Sequence, residues 1–209
     1  WAYDIVPGPP EIAGMQVDAA WIARVVKQAD VLFLSHWHDD HANPEVVEAF
    51  LAAGKPVIAP EGLWVEKPVS KRLTYPERSA TKVHTVGKLR YVAYPGHQGK
   101  DVTNNNHLVF SPEGISTMQT GDQSLDSDFG WLDRVGRQHK VTVLLPNCWT
   151  PDLARLARGV NPRWLLTGHE NEMAHTVDHR EDFTQTWQRL KGVTVKRPLL
   201  MWGEGIDVE

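Results

Sequence analysis

The stretch His36-Trp37-His38-Asp39-Asp40-His41 directly follows a short apolar run, Val31-Leu32-Phe33-Leu34. A continuous apolar run of this length is typical of a strand buried on both faces. The six residues after it are rich in imidazole and carboxylate side chains, the groups that bind zinc and related metals. The pattern therefore predicts a strand that ends in a ligand-rich loop, with metal ions held at the edge of a sheet.

Single metal-ligand residues occur at three further expected strand ends. His97 follows Tyr94-Pro95-Gly96, Asp122 follows Thr120-Gly121, and His169 follows Thr167-Gly168. Glycine before each ligand lets the backbone turn and approach closely. The full set of candidate metal ligands is His36, His38, Asp40, His41, His97, Asp122 and His169.

Seven donors are enough for two divalent ions that share a bridging carboxylate and a bridging hydroxide. Two ions about 3.5–4 Å apart activate water and stabilise a developing oxyanion together. The donor types favour Zn²⁺, with Mn²⁺ and iron as alternatives. The sequence thus predicts a binuclear metal-dependent hydrolase.

The composition fits a globular protein and limits the classes of molecule that it is expected to bind. The 209 residues, 23% of them charged and 41% hydrophobic, are consistent with one domain spanning 1–209. The net charge of -4 comes without a Lys/Arg cluster, which argues against nucleic acid as a partner and favours a small-molecule substrate. No apolar stretch is long enough for a membrane span, and no signal peptide is visible, so a cytoplasmic location is the default expectation.

Helices and strands are expected to alternate, which is an α/β pattern. Apolar positions from Ile22 to Ala29 have helical spacing. Asn43-Pro44 provides a helix cap followed by a proline at the first helical position. Further along, Pro95-Gly96 is expected to stop a strand, and the polar stretch 98–106 to form a surface loop.

The motif His-x-His-x-Asp-His after an apolar strand, followed by single His, Asp and His residues, resembles the metallo-β-lactamase fold superfamily of metal-dependent hydrolases. The resemblance extends by motif over residues 31–170. It implies an αββα sandwich with the metals at one edge of the two sheets. Because only 35 residues precede the motif, the first sheet is expected to be reduced at the N-terminus, rearranged or completed by a partner.

The resemblance also implies roles for the ligands. His36, His38 and His97 would hold the first zinc, Asp40, His41 and His169 would hold the second, and Asp122 would bridge them. Asp40 is in addition the candidate proton carrier. The compact layout between Asp122 and His169 is similar to the ascorbate-6-phosphate lactonase-like and phospholipase-D-like branch, which implies a small-molecule ester, lactone or phosphodiester as substrate.

Other functions remain open at this stage. A mononuclear iron dioxygenase, a redox di-iron protein, a non-catalytic metal-binding member of the same fold and a true β-lactamase are the alternatives. On the substrate side, Trp37 is a candidate apolar wall, and His107 and Trp149 are candidate contacts. Cys148 is interpreted as a small buried residue, since no activating partner is evident.

Overall fold

The computed structural model describes residues 1–6, 8, 19–170, 181–198 and 204–208. Within these residues the chain forms two sheets with helices on their outer faces.

The first sheet, as far as it is described, contains three parallel strands, β1 (Ala2–Tyr3), β2 (Leu32–Phe33) and β3 (Val57–Ile58), in that order. Helices α1 (Ala19–Gln28) and α2 (Pro44–Ala52) cover its outer face. The predicted cap of α2 is confirmed, because the Asn43 side chain accepts a hydrogen bond from the backbone N–H of Val46 at 3.1 Å.

The second sheet has six strands in sequence order within the described residues. They are β4 (His84–Val86), β5 (Leu89–Gln98), β6 (Val102–Phe110), β7 (Ser116–Gln119), β8 (Val143–Leu145) and β9 (Trp164–Leu165). Strands β4 to β7 pair antiparallel, whereas β7, β8 and β9 pair parallel. The carboxyl ends of β7, β8 and β9 therefore meet at one edge, which β2 also approaches from the first sheet.

The outer face of the second sheet is covered by α3 (Phe129–Leu132), α4 (Val135–Gln138), α5 (Leu153–Val160) and α6 (Phe183–Arg189). A third apolar cluster lies between the sheets and joins Phe33 and Ile58 to Tyr91 and Val109. The layers are thus helices, sheet, sheet, helices, which confirms the predicted αββα sandwich. The first sheet is the smaller one among the described residues, as expected from the short N-terminal stretch.

Two predictions in the middle of the chain were wrong. Strand β5 continues through Pro95 and Gly96, and most of the stretch 98–106 belongs to β6. Pro95 is tolerated because it pairs with Asn105, whose N–H donates to the carbonyl of Ser35 instead of to β5. The missing N–H of Pro95 therefore interrupts no bond between β5 and β6.

Turns occupy residues 61–66, and a short 3₁₀ helix follows at Pro68–Arg72. None of the helices in the described part of the chain has the length and apolar character needed to cross a membrane.

Candidate metal centre

The ligand-rich loop forms a tight turn between β2 and α2. The backbone N–H groups of His41 and Ala42 both donate to the carbonyl of His38, at 2.9 and 2.8 Å. This turn brings the side chains of residues 36–41 together at the end of the buried strand, as the sequence predicts.

The first group of donors consists of His36, His38 and Asp122, whose ligand atoms all lie within 4.8 Å of one another. His36 Nε2 is 2.9 Å from His38 Nδ1 and 3.5 Å from Asp122 Oδ2. Two nitrogens bound to one tetrahedral zinc at about 2.0–2.1 Å would be about 3.3 Å apart. The spacing of the two imidazoles therefore fits a shared metal ion.

The second group consists of Asp40, His41 and His169. His41 Nε2 lies 3.4 Å from Asp40 Oδ2, and both His41 Nε2 and His169 Nε2 lie 3.3 Å from Asp122 Oδ1. Asp122 thus presents Oδ2 to the first group and Oδ1 to the second. A carboxylate in this position can bridge two metal ions.

The chemistry of the donors fits a bound cation. His41 Nε2 is buried, with Asp122 Oδ1 at 3.3 Å and Asp40 Oδ2 at 3.4 Å. Burial alone would lower the pKa of His41, but the charge of Asp4 and hydrogen bonds to Asp122, Asp4 and Asp40 raise it to about 12. A proton on His41 balances these carboxylates, and a divalent metal ion would balance them in its place.

His36 is already in the protonation state that a metal ligand needs. Burial, together with the charge of neighbouring His41, lowers the pKa of His36 to about 4. Its Nδ1 lies 2.9 Å from Ser35 Oγ, which in turn donates to Asp4 Oδ2 at 2.7 Å. His36 Nδ1–H can therefore donate to Ser35, which leaves His36 Nε2 as a free lone pair that faces the other donors.

Asp4 supports the donor groups and was not predicted from the sequence. It follows β1 with a positive φ of 42°, and its carboxylate accepts hydrogen bonds from the Ser35 backbone N–H at 2.7 Å, from Ser35 Oγ, from His41 Nδ1 at 2.9 Å and from Gln119 Nε2. Asp4 therefore fixes His41 with Nε2 towards the donors. Its partners lie 31, 37 and 115 residues away, and no local pattern marks it.

His97 belongs to neither donor group in this structure. Its Nδ1 lies 3.1–3.2 Å from the two carboxylate oxygens of buried Asp128, and its side chain is 31% exposed. Gln123 Nε2 also donates to Asp128, at 2.9 Å. With Nδ1 held by a carboxylate, Nε2 is the His97 atom left to bind a metal. Its predicted role as a ligand stays a prediction.

Three amide side chains hold Asp122 in place. Asn147 Nδ2 donates to Oδ1 at 2.7 Å, Gln98 Nε2 donates to Oδ2 at 2.9 Å, and Asn104 Oδ1 accepts from the backbone N–H of Asp122 at 3.0 Å. Each carboxylate oxygen thus keeps its direction towards one donor group. Asn104 of β6 is buried and supports Asp122, so this stretch does not form the expected surface loop.

The three candidate substrate contacts differ in their exposure and in their position relative to the donor groups. Trp37 is 55% exposed, with its ring centroid 4.3 Å from that of His38. Trp149 lies with its ring centroid 6.3 Å from that of His169. His107 is fully buried, and its Nε2 donates to the Leu34 carbonyl at 3.1 Å. His107 therefore packs between the sheets beneath the centre and offers no surface to a substrate.

No protein-family model matches the sequence, and the comparison with curated proteins finds no significant match. Similar proteins are found among the solved structures. Igni18, a metallo hydrolase from the archaeon Ignicoccus hospitalis, is 17% identical with a TM-score of 0.65, and the match covers 84% of this chain and 78% of that one. YhfI from Bacillus subtilis, a metallo-β-lactamase fold protein, is 15% identical with a TM-score of 0.59, over 84% of this chain and 76% of that one.

A third similar structure has a different activity. CmlA, a diiron β-hydroxylase from Streptomyces venezuelae, is 14% identical with a TM-score of 0.66, over 95% of this chain and 48% of that one. At such identities the likeness concerns the fold and leaves the reaction open. The chain has the metallo-β-lactamase fold shared by metal-dependent hydrolases, which confirms at the level of the fold the resemblance seen in its sequence motif.

Proposed function

We propose that this protein is a hydrolase with a binuclear metal centre that acts on a small-molecule ester, lactone or phosphodiester. The observation that supports this most directly is the position of Asp122, whose two oxygens face two separate groups of His and Asp donors. Two sites joined by one carboxylate are the arrangement that two cooperating metal ions require.

The ligands divide between the two sites as follows. The first ion would be held by His36, His38 and His97, the second by Asp40, His41 and His169, and Asp122 would bridge them. The donor set of imidazoles and carboxylates suits Zn²⁺ best, while Mn²⁺ and iron also accept these ligands. When bound, two such ions lower the pKa of water and stabilise the negative charge that develops on the attacked group.

Asp40 is suited to carry protons at this centre. Although burial acts to raise the pKa of Asp40, hydrogen bonding and charge from His41, with the charge of His169, hold it well below its ordinary value. Asp40 is therefore a carboxylate at neutral pH. Its proposed role as proton carrier rests on its position, since its half-exposed side chain lies beside His41 at the second donor group.

Trp37 lies next to His38 and Trp149 lies next to His169, so each donor group has one indole beside it. A substrate bound at both groups would contact these indoles. They would supply apolar contact area while the donors hold the reacting part of the substrate.

The test is metal content and turnover measured on the same preparation. The protein is loaded with zinc, freed of excess metal by gel filtration and analysed by inductively coupled plasma mass spectrometry. It is then assayed against a panel of esters, lactones, phosphodiesters and β-lactams. The proposal expects close to two zinc ions per chain and zinc-dependent hydrolysis of at least one ester, lactone or phosphodiester.

Other results would exclude the proposal. Uptake of no metal would show that the seven residues do not converge in solution. Retention of about one iron per chain in the protein as purified, with no hydrolysis after zinc loading, would favour the mononuclear oxygenase instead. Turnover of β-lactams alone would identify a β-lactamase.

A further inference from the structure

A cleft of about 300 Å³ lies beside the candidate metal centre. We call it the aromatic cleft, and its walls include Trp37, Glu61, Leu63, Trp64, Asp101 and Thr103. These residues come from three separate places, namely the ligand loop, the segment after β3 and the β5–β6 hairpin. Its volume is at the lower end of the range for small-molecule sites, about 300–1,000 Å³.

The aromatic cleft adjoins the first donor group. Trp37 stands between His36 and His38 in sequence, and its ring packs at 4.3 Å against that of His38. On the other side, Thr103 is the register partner of His97 in the β5–β6 pairing. A molecule whose reacting group lies at the donors would therefore extend its next few atoms into this cleft.

The second indole of the cleft is held in place before any ligand arrives. Trp64 has a φ of 51°, a left-handed conformation that is unfavourable for a bulky residue. The turn is stabilised by the Lys67 N–H, which donates to the Trp64 carbonyl at 2.8 Å, and by Tyr75 Oη, which donates to the Leu63 carbonyl at 2.7 Å. Strained backbone held by surrounding bonds is often found at ligand-binding positions.

The charges of the aromatic cleft select against anions. Glu61 and Asp101 are both part of its wall, and the described lining contains no Lys or Arg. The faces of indole rings carry partial negative charge and attract cations. Lys67 shows this for Trp64, since its Nζ lies 5.0 Å from the ring centroid, although Lys67 is not part of the lining.

We infer that the aromatic cleft binds an apolar part of the substrate that is uncharged or positively charged, with the scissile group turned towards the donors. Only the orientation of the scissile group towards the donors rests on the proposed hydrolase function. The inference narrows the substrate class, because a molecule with an anionic tail next to its reacting group would face the carboxylates of Glu61 and Asp101, with no Lys or Arg in the described lining.

The test measures binding of three probes of similar size that differ in charge: benzyltrimethylammonium, benzyl alcohol and benzenesulfonate. Their affinities are determined by ligand-observed NMR titration on zinc-loaded protein. Only the part of the binding that Trp64→Ala removes is attributed to the cleft, since a sulfonate can also contact the metal. Trp187→Ala is the matched control, because Trp187 is 46% exposed and does not line the cleft.

The expected order is the ammonium ion first, the alcohol next and the sulfonate at least tenfold weaker than the ammonium ion. Trp64→Ala should weaken binding of the ammonium ion tenfold or more, and Trp187→Ala should leave it unchanged. A second variant, Asp101→Lys, changes an exposed hairpin residue and should shift the preference towards benzenesulfonate. The inference would be overturned if the Trp64-dependent binding of benzenesulfonate by the wild type equalled or exceeded that of the ammonium ion. It would also be overturned if neither Trp64→Ala nor Asp101→Lys had an effect.

These outcomes are separable from failure of the proposed function because binding requires no turnover. Probe binding that depends on Trp64, in a protein without hydrolytic activity, would support the inference about the cleft and refute the proposed hydrolase function. Zinc-dependent hydrolysis without Trp64-dependent probe binding would support the proposed function and refute the inference about the cleft.

Discussion

Replacing Asp4 by asparagine should weaken metal binding at the proposed second site, although Asp4 is not itself a candidate ligand. The substitution keeps the shape of the side chain, and asparagine tolerates the left-handed backbone found at this position. It replaces one carboxylate oxygen by an NH₂ group, although all the partners of Asp4 are donors, namely Ser35, His41 and Gln119. In either orientation of the amide, the NH₂ group therefore replaces an oxygen that accepts hydrogen bonds in the wild type.

The two orientations have different consequences at His41. If the amide NH₂ faces His41 Nδ1, the imidazole must carry its proton on Nε2, which is the atom that faces Asp122 and Asp40. A protonated Nε2 cannot bind a metal. If the amide is turned the other way, its NH₂ opposes the fixed N–H of Ser35, and the loop must shift.

The magnitude follows from the loss of a buried charge pair and of an outer-shell partner. Removing one member of a buried ion pair costs about 3–5 kcal/mol, which a protein with a stability of about 5–15 kcal/mol can survive. Loss of the residue that orients a ligand histidine typically weakens metal binding 10–100-fold, or about 1.4–2.8 kcal/mol. We therefore expect Asp4→Asn to fold, to unfold at lower urea concentration and to bind its second zinc 10–100-fold more weakly.

The assay is a zinc titration against a chromogenic chelator, combined with urea unfolding of the metal-free protein. Asp30→Asn is the control, because it makes the same change in charge at an exposed position next to β2. If Asp4→Asn binds both zinc ions with wild-type affinity, Asp4 does not orient His41 and the described hydrogen-bond network has no bearing on the metal.

Three further predictions follow. His38→Ala should abolish hydrolysis while the far-UV circular dichroism stays that of the wild type, and His139→Ala, at a position outside both donor groups, should retain activity. Gly96→Ala should destabilise the protein by about 1–3 kcal/mol in urea unfolding, because a Cβ there would lie closer than 3.0 Å to three oxygen atoms; Gly130→Ala, where nothing lies within 4 Å, should not. Cys148 should react with Ellman's reagent only after denaturation, since the thiol is fully buried and burial raises its pKa; rapid labelling of the native protein would contradict this.

The sequence predicted the ligand loop well because its donors are local. Residues 36–41 lie within one turn after a buried strand, so their convergence needs little knowledge of the rest of the fold. Asp122 and His169 could also be named as candidates, since a glycine and a strand end mark each of them, and the structure brings both close to the loop. Asp4 and Asp128 could not be found in this way, because each meets its histidine only through the packing of distant segments.

The stretch 98–106 was misread for a physical reason. Polarity in a sequence usually indicates solvent, yet Asn104, Asn105 and Asn106 are fully buried. Asn104 Nδ2 donates hydrogen bonds to Asn106 Oδ1 and to the Thr120 carbonyl, and Asn106 Nδ2 donates to Gln123 Oε1. A buried polar network around a functional site has the same composition as a surface loop, and only its partners distinguish the two.

The support of the metal centre crosses between the two sheets. Asp4 after β1 bonds Gln119 on β7, and Asn105 on β6 donates to the carbonyl of Ser35 after β2. His36 and His41 depend on the first sheet for their direction, whereas Asp122 depends on Asn104 and Asn147 of the second. Neither sheet alone therefore holds a complete set of oriented donors. The donors are oriented together only where the two sheets pack against each other. If the proposed metal ions bind there, any change that loosens the contact between the sheets should weaken metal binding even when every candidate ligand is intact.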